Sequence, residues 1–360
     1  MKPTAELHVR GQSLWLDNIT RSMLDSGQIK RYIDAYSVTG LTSNPSIFDS
    51  AVATGDYDDA IRATSHQGLS SEEVFFDLAI ADLQRAADLF APVHEKTGGV
   101  DGWVSLEVSP LLAYDTAKTV EAAKSLHARA QRNNLFVKIP GTPQGLPAIE
   151  ECIASGVPVN VTLLFDADQY RAAADAYLRG IERRVDSGLD AAVGCVASVF
   201  ISRWDVAVAT SVPEELKNRL GLAVGQETYR AYRDVMESER FQRLANSGAR
   251  TQRLLWASTK TKDPTAPDTL YVAGLAAPFT INTMPDSTLD AFFDHGDVGA
   301  PLARDGGDGD ALLQRFADVG IDTRALAQKL QDEGAASFAA SWSDLLARID
   351  AQLPASHETR

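Results

Sequence analysis

Short runs of β-branched and apolar residues alternate with longer amphipathic stretches from one end of the chain to the other. Runs apolar on both faces suit strands buried on both sides, and apolar positions three to four apart suit helices with a single apolar stripe. The pattern predicts strands over 13–19, 37–44, 102–108, 134–140, 157–165, 191–203, 253–259 and 270–281. It predicts helices over 71–89, 116–132, 166–187 and 213–238, and the gap between 44 and 102 leaves room for more than one helix. Ser71, followed by Glu72 and Glu73, suits a helix start, where acidic side chains meet the positive end of the dipole. After Pro285 the pattern is helical, over 289–293, 311–319, 324–332 and 337–353.

Eight such β-then-α alternations, with no glycine-rich nucleotide loop after a strand, favour a closed (β/α)8 TIM barrel over an open doubly wound sheet. The expectation is one domain over 1–360, with additional C-terminal helices from about 286 forming the last barrel helix and a cover. In such a barrel the chemistry sits at the C-terminal ends of the strands.

Composition narrows the function. Hydrophobic residues at 44% and charged ones at 23% are ordinary for a globular protein and exclude a disordered chain. A net charge of -15 disfavours nucleic acid and anionic lipid as partners, so an anionic ligand needs a local cluster of cations. Cys152 and Cys195 stand apart, as buried free thiols in a reducing compartment do. With no apolar leader after Met1, and a longest near-apolar run, 191–201, shorter than the ~20 residues of a span, the expected location is cytoplasmic. The helix faces suit packing within one chain or between two, which leaves oligomerisation open.

The motifs of P-loop, dinucleotide, zinc-protease and serine-hydrolase sites are absent. His8, His66, His94, His127, His295 and His357 show no metal-ligand spacing, so no metal or other cofactor is expected. The pair His94 and Glu95 reads as a solvated helix end. The Asp- and Gly-rich stretch 304–310 lacks calcium-loop spacing and reads as a loop.

Polar residues inside the apolar strands carry the remaining signal. Lys138 lies within Leu135-Phe136-Val137-Lys138-Ile139-Pro140, where burial of an ammonium is costly unless it is paired or loses its proton. A desolvated neutral amine attacks carbonyls, and the equally open alternative is a structural ion pair. Asp17 and Glu107 occupy similar settings, and counting by twos puts Asp17 on the face of Trp15 and Glu107 on the face of Ser105. Two acids beside one lysine suit the proton transfers of Schiff-base chemistry, or serve as partners of Lys138 or a nearby arginine. Asn44, Asn160 and Thr162 suit sugar hydroxyls or buried structural polar roles, with Asn160 and Thr162 on one face. Arg203, Lys260 and Lys262 put cations at the ends of the sixth and seventh strands, where barrels often bind phosphate.

These residues resemble a known family, the transaldolases, and within it the longer bacterial branch. Gly40-Leu41-Thr42-Ser43-Asn44-Pro45-Ser46 is similar to the first family signature. Phe136-Val137-Lys138-Ile139-Pro140-Gly141-Thr142, with Gly145, is similar to the active-site lysine signature. The Glu107 strand, Val159 to Phe165, Ser198 to Arg203, Trp256 to Thr259 and Asn282 to Pro285 follow in family order, so the likeness runs from about Leu14 to Pro285.

The resemblance implies a class I mechanism without metal or cofactor. Lys138 would form the Schiff base, Asp17 would take the donor hydroxyl's proton, and Glu107 with Thr162 would position a water. Asn44 and Asn160 would hold the dihydroxyacetone unit, Arg203 and Ser258 the phosphate, and Thr42, Ser198 and Phe200 would complete substrate binding. The implied reaction moves dihydroxyacetone from sedoheptulose 7-phosphate to glyceraldehyde 3-phosphate, giving erythrose 4-phosphate and fructose 6-phosphate in the non-oxidative pentose phosphate pathway. Sugar phosphates are thus the expected partners. Many family members carry arginine two residues after the Ser258 position, where this chain has Lys260; the phosphate role is expected of Lys262, where the longer branch tends to carry lysine. A shorter relative that cleaves fructose 6-phosphate outright is the alternative, and it carries tyrosine where this chain has Phe200. A non-catalytic sugar-phosphate-binding barrel is the third reading.

Overall fold

The computed structural model describes residues 1–64 and 68–353, so His66 and His357 lie outside the described residues. Eight parallel strands close into a barrel in sequence order. They are β1 (Ser13–Asp17), β2 (Val38–Thr42), β3 (Trp103–Glu107), β4 (Leu135–Pro140), β5 (Val159–Leu164), β6 (Cys195–Phe200), β7 (Arg253–Ala257) and β8 (Ile281–Met284). Pairing of β1 with β8 completes the cylinder, with Trp15 in register with Thr283.

Alternation along each strand sorts the residues into two cores. Leu14, Leu16, Leu41, Val104, Leu106, Val137, Ile139, Val159 and Val161 belong to the cluster between strands and outer helices. Trp15, Trp103, Phe136, Val196, Leu255 and Ile281 belong to a second cluster inside the barrel. Trp103 stacks on Phe136 at 4.0 Å between ring centroids, filling the interior below the chemistry. Gly40 makes this possible, because a Cβ there would lie 2.5 Å from the Trp15 ring. Period-two counting therefore places Asp17, Glu107 and Lys138 on the inner face, Asp17 and Lys138 one step past Trp15 and Phe136, and Glu107 two steps past Trp103.

Several element boundaries differ from the sequence pattern. The apolar run 270–281 is a short helix, Leu270–Gly274, followed by β8; Tyr271 and Val272 are buried in the outer layer, and a buried apolar run reads alike for strand and helix. β6 ends at Phe200, and Ser202 opens the helix Ser202–Val208, so Arg203 lies in a helical first turn. The long helix Ser71–Lys96 does open at Ser71, and Ser70 caps it, its hydroxyl accepting from the Glu73 amide while Glu73 accepts from the Ser70 amide. Near its end His94 is half-buried: its ring meets Trp103 edge-on at 4.7 Å and Nδ1 lies 3.0 Å from the Asp101 carbonyl, so it is not a solvated end. Of the stretch 304–310, Gly309 and Asp310 open the helix Gly309–Asp318.

The C-terminal segments 324–332 and 337–353 form one helix, Thr323–Asp350, that runs through Gly334. It lies over the C-terminal end of the barrel. Gln331 donates to the carbonyls of Gly141 (3.2 Å) and Leu163 (2.9 Å), just past β4 and within β5. The Ser46 and Ser341 hydroxyls meet at 2.8 Å, and Arg348 pairs with Asp49. No helix among the described residues is long and apolar enough to cross a membrane.

Candidate active site

The strand ends surround a cavity of about 570 Å³ whose walls include Asp17, Thr42, Lys138, Thr162, Ser198 and Phe200. Lys138 and Glu107 are in register on β4 and β3, which sets their side chains side by side. Both are 5% exposed, and Lys138 Nζ lies 3.0 Å from Glu107 Oε2. The same ammonium donates to the Ser43 carbonyl at 2.8 Å. Burial is the main influence on Glu107 and raises its proton affinity, with Lys138 opposing. With both charges taken out of water, each group depends on the other as its partner, and the amine stands beside a carboxylate able to accept its proton.

Glu107 Oε1 and Thr162 Oγ1 are buried with no hydrogen-bond partner among the described residues. Orphaned polar atoms in such a place are where a bound water makes its contacts. Thr162, which lines the cavity, precedes Leu163, whose φ is 58° and which lies in a register shift between β5 and β6. A leucine in the left-handed region is strained, and here Gln331 holds its carbonyl.

Asp17 ends β1, where the Thr42 hydroxyl donates to its Oδ1 at 2.7 Å. Burial raises its proton affinity, the Lys138 charge and Thr42 oppose, and Asp286 adds to the rise. Asp286 also accepts from Asn18 at 3.0 Å, and both line the cavity.

Asn44 lies past β2, not within a strand, and caps the helix Pro45–Ala53 by accepting from the Ile47 amide at 3.1 Å. Its amide NH2 is left for the cavity it lines. Asn160 sits one layer below: it donates to Ser105 Oγ (3.1 Å) and accepts from Ser198 Oγ (2.7 Å), forming a polar floor in register with Lys138. Of the two amides, only Asn44 is on the cavity wall.

The opposite wall is cationic. Arg203, Lys260 and Lys262 all line the cavity beside Ser258, whose φ is 55° and whose hydroxyl lies 2.9 Å from that of Ser202. Burial, then Lys260 and Arg203, push the Lys262 ammonium down, and burial lowers Arg203. Arg203 lies over Phe200 (5.1 Å) and Phe338 (5.9 Å), and among the described residues neither it nor Lys262 has an ion-pair partner. Three clustered cations, of which Arg203 feels only the more distant Glu333 carboxylate, stand out on a protein of net charge -15 and suit a phosphate-like anion.

Pattern reading missed Ser43 as a partner of Lys138, Thr283, Asn18 and Asp286 on the wall, and Phe338 from the C-terminal helix. Phe338 stands 5.9 Å over the Lys138 ammonium and edge-on to Phe200 at 6.5 Å. Nothing local to Phe338 marks it, because Lys138 lies 200 residues away in sequence.

The model of the family described as transaldolase/fructose-6-phosphate aldolase matches residues 14–349. This chain belongs to that family. A transaldolase of Thermobifida fusca is 44% identical to it, over 98% of this chain and 99% of the relative. Those of Arthrobacter sp. strain FB24 and Mycobacterium ulcerans are each 42% identical, over 98% of this chain and 97% of the relative. The family match spans β1 to the C-terminal helix, so the wall that Phe338 supplies lies inside it.

Proposed function

We propose that the protein is a transaldolase that carries a dihydroxyacetone unit on Lys138 from sedoheptulose 7-phosphate to glyceraldehyde 3-phosphate. The observation that carries this reading is the buried Lys138, backed by Glu107 and sharing one cavity with Asp17 and a cationic wall. Lys138, having passed its proton to Glu107, adds to the ketone carbonyl. A water held by Glu107 and Thr162 moves the protons that dehydrate the carbinolamine to an iminium. Asp17 takes the proton of the hydroxyl on the far carbon of the bond to be broken, whose oxygen becomes the product aldehyde; that bond's electron pair flows into the iminium, giving an enamine and releasing erythrose 4-phosphate. The enamine carbon attacks the acceptor aldehyde, Asp17 returns the proton to the new hydroxyl, and hydrolysis frees fructose 6-phosphate and Lys138. The iminium is the electron sink, so this route is built from the chain's own residues.

Arg203, Ser258 and Lys262 bind the phosphate, and Lys260 joins them, since both lysines line the cavity. Asn44, with Ser198 and Thr42, holds the dihydroxyacetone unit, and Asn160 fixes Ser198 from below. The walls of Phe200 and Phe338 favour transfer over release. The protein works in the cytoplasm on sugar phosphates, a placement that buried free Cys152 and Cys195 support.

The test is borohydride trapping with fructose 6-phosphate, followed by digestion and mass spectrometry. A reduced dihydroxyacetone adduct on Lys138, absent from a Lys138→Met variant whose transfer activity falls at least ~1,000-fold, is the expected result. Folded wild-type protein without any adduct refutes the reading. Free dihydroxyacetone released at the rate of transfer identifies the lyase instead.

A further inference from the structure

We propose that Thr283, on β8, is a positioning residue that orients Asp17 through Thr42; the proposal rests on the reading of Asp17 as the base of bond cleavage. Thr283 is buried, lines the same cavity and lies 2.7 Å, oxygen to oxygen, from the Thr42 hydroxyl. Thr42 in turn donates to Asp17 Oδ1 at 2.7 Å. A hydroxyl has one proton to give, and an ionised carboxylate only accepts. Thr42 therefore spends its proton on Asp17, and Thr283 donates to Thr42, so the chain of donors runs Thr283 to Thr42 to Asp17.

Topology fixes this order. β2 and β8 flank β1 on its two sides, with Asp17 in register with Thr42 and Trp15 with Thr283. The two hydroxyls meet over β1 and engage one oxygen of its terminal carboxylate. Thr283 is itself held, since Thr259 Oγ1 donates to the Thr283 carbonyl (3.0 Å) and lies 2.9 Å from Asn282 Oδ1. With Oδ1 engaged, Oδ2 is the oxygen left to take the substrate's proton, and a donor chain ending on a charge polarises each link.

The experiment compares wild type, Thr283→Val and Thr283→Ser by two readouts. One is turnover of fructose 6-phosphate with erythrose 4-phosphate as acceptor partner in the exchange, which requires Asp17. The other is borohydride trapping of dihydroxyacetone on Lys138, which forms the imine without breaking a carbon–carbon bond. Thr283→Val is expected to lower kcat roughly tenfold, to leave trapping within about twofold of wild type, and to be rescued by Thr283→Ser. Wild-type turnover in Thr283→Val overturns the proposal, as does a parallel loss of trapping and turnover that serine fails to restore. A folded wild type that forms no adduct with dihydroxyacetone or with fructose 6-phosphate overturns the functional reading itself, and Thr283 falls with it.

Discussion

Asp17 acts only when ionised, yet its surroundings favour the protonated acid. Burial contributes most to that preference, the Asp286 carboxylate adds to it, and the Lys138 ammonium and Thr42 hydroxyl oppose it. A base with a raised proton affinity is lost as pH falls, and lost sooner than an ordinary aspartate. The acid limb of kcat/KM is therefore expected above the range where exposed aspartates titrate, and in an Asp286→Asn variant it is expected to move down, because one like charge has gone. A pH–rate profile of both proteins checks this; an unmoved limb in Asp286→Asn means that Asp286 does not act on Asp17. Counting by twos along the sequence put Asp17 on the face of Trp15 and Glu107 on the face of Ser105, because a strand's alternation is geometric, and closure of the barrel shows that these faces turn inward with Lys138. It could not pair Lys138 with the Ser43 carbonyl, since a backbone oxygen leaves no mark in a side-chain pattern.

At the scale of elements, the strands were legible where apolar runs end in a polar residue, and illegible where an apolar run serves the outer layer, as at Leu270–Gly274. The C-terminal helix was legible as helix, but its seat was not, because that seat depends on Gln331 reaching the carbonyls of Gly141 and Leu163. Gly334 lets this helix approach the cationic wall: a Cβ there would stand 3.0 Å from Arg203 Nη1 and 2.9 Å from Leu163 Cδ2. The branched side chain of Gly334→Val would displace the guanidinium from the cavity. KM for fructose 6-phosphate is expected to rise roughly tenfold, as for loss of one charge-assisted contact, while trapping of unphosphorylated dihydroxyacetone on Lys138 stays as in wild type. Steady-state kinetics beside the trapping assay separate the two, and an equal loss in both assays means that the helix moved as a whole.

For the whole molecule, the active site is a consequence of barrel closure. Lys138 on β4, Asp17 on β1 and Thr283 on β8 meet only because β1 pairs with β8, and that pairing is supported from within by the aromatic plug of Trp15, Trp103 and Phe136. The plug requires Gly40, beside which the Trp15 ring lies closer than any Cβ allows. Trp15 Nε1 also donates to buried Asp101 at 2.7 Å, so the indole cannot swing aside without leaving a carboxylate short of a donor. Gly40→Ala must then either shift β2 or break that hydrogen bond, and overpacking of this kind costs about 1–3 kcal/mol. If residues 1–360 fold as a single domain, that loss lowers one shared transition. Urea unfolding followed by tryptophan fluorescence, by far-ultraviolet circular dichroism and by residual transfer activity should show coincident midpoints in wild type, and coincident midpoints at lower urea in Gly40→Ala. Activity lost well before the circular dichroism signal would instead mean that the C-terminal helix, with Phe338 and its hold on Arg203, detaches from a barrel still closed.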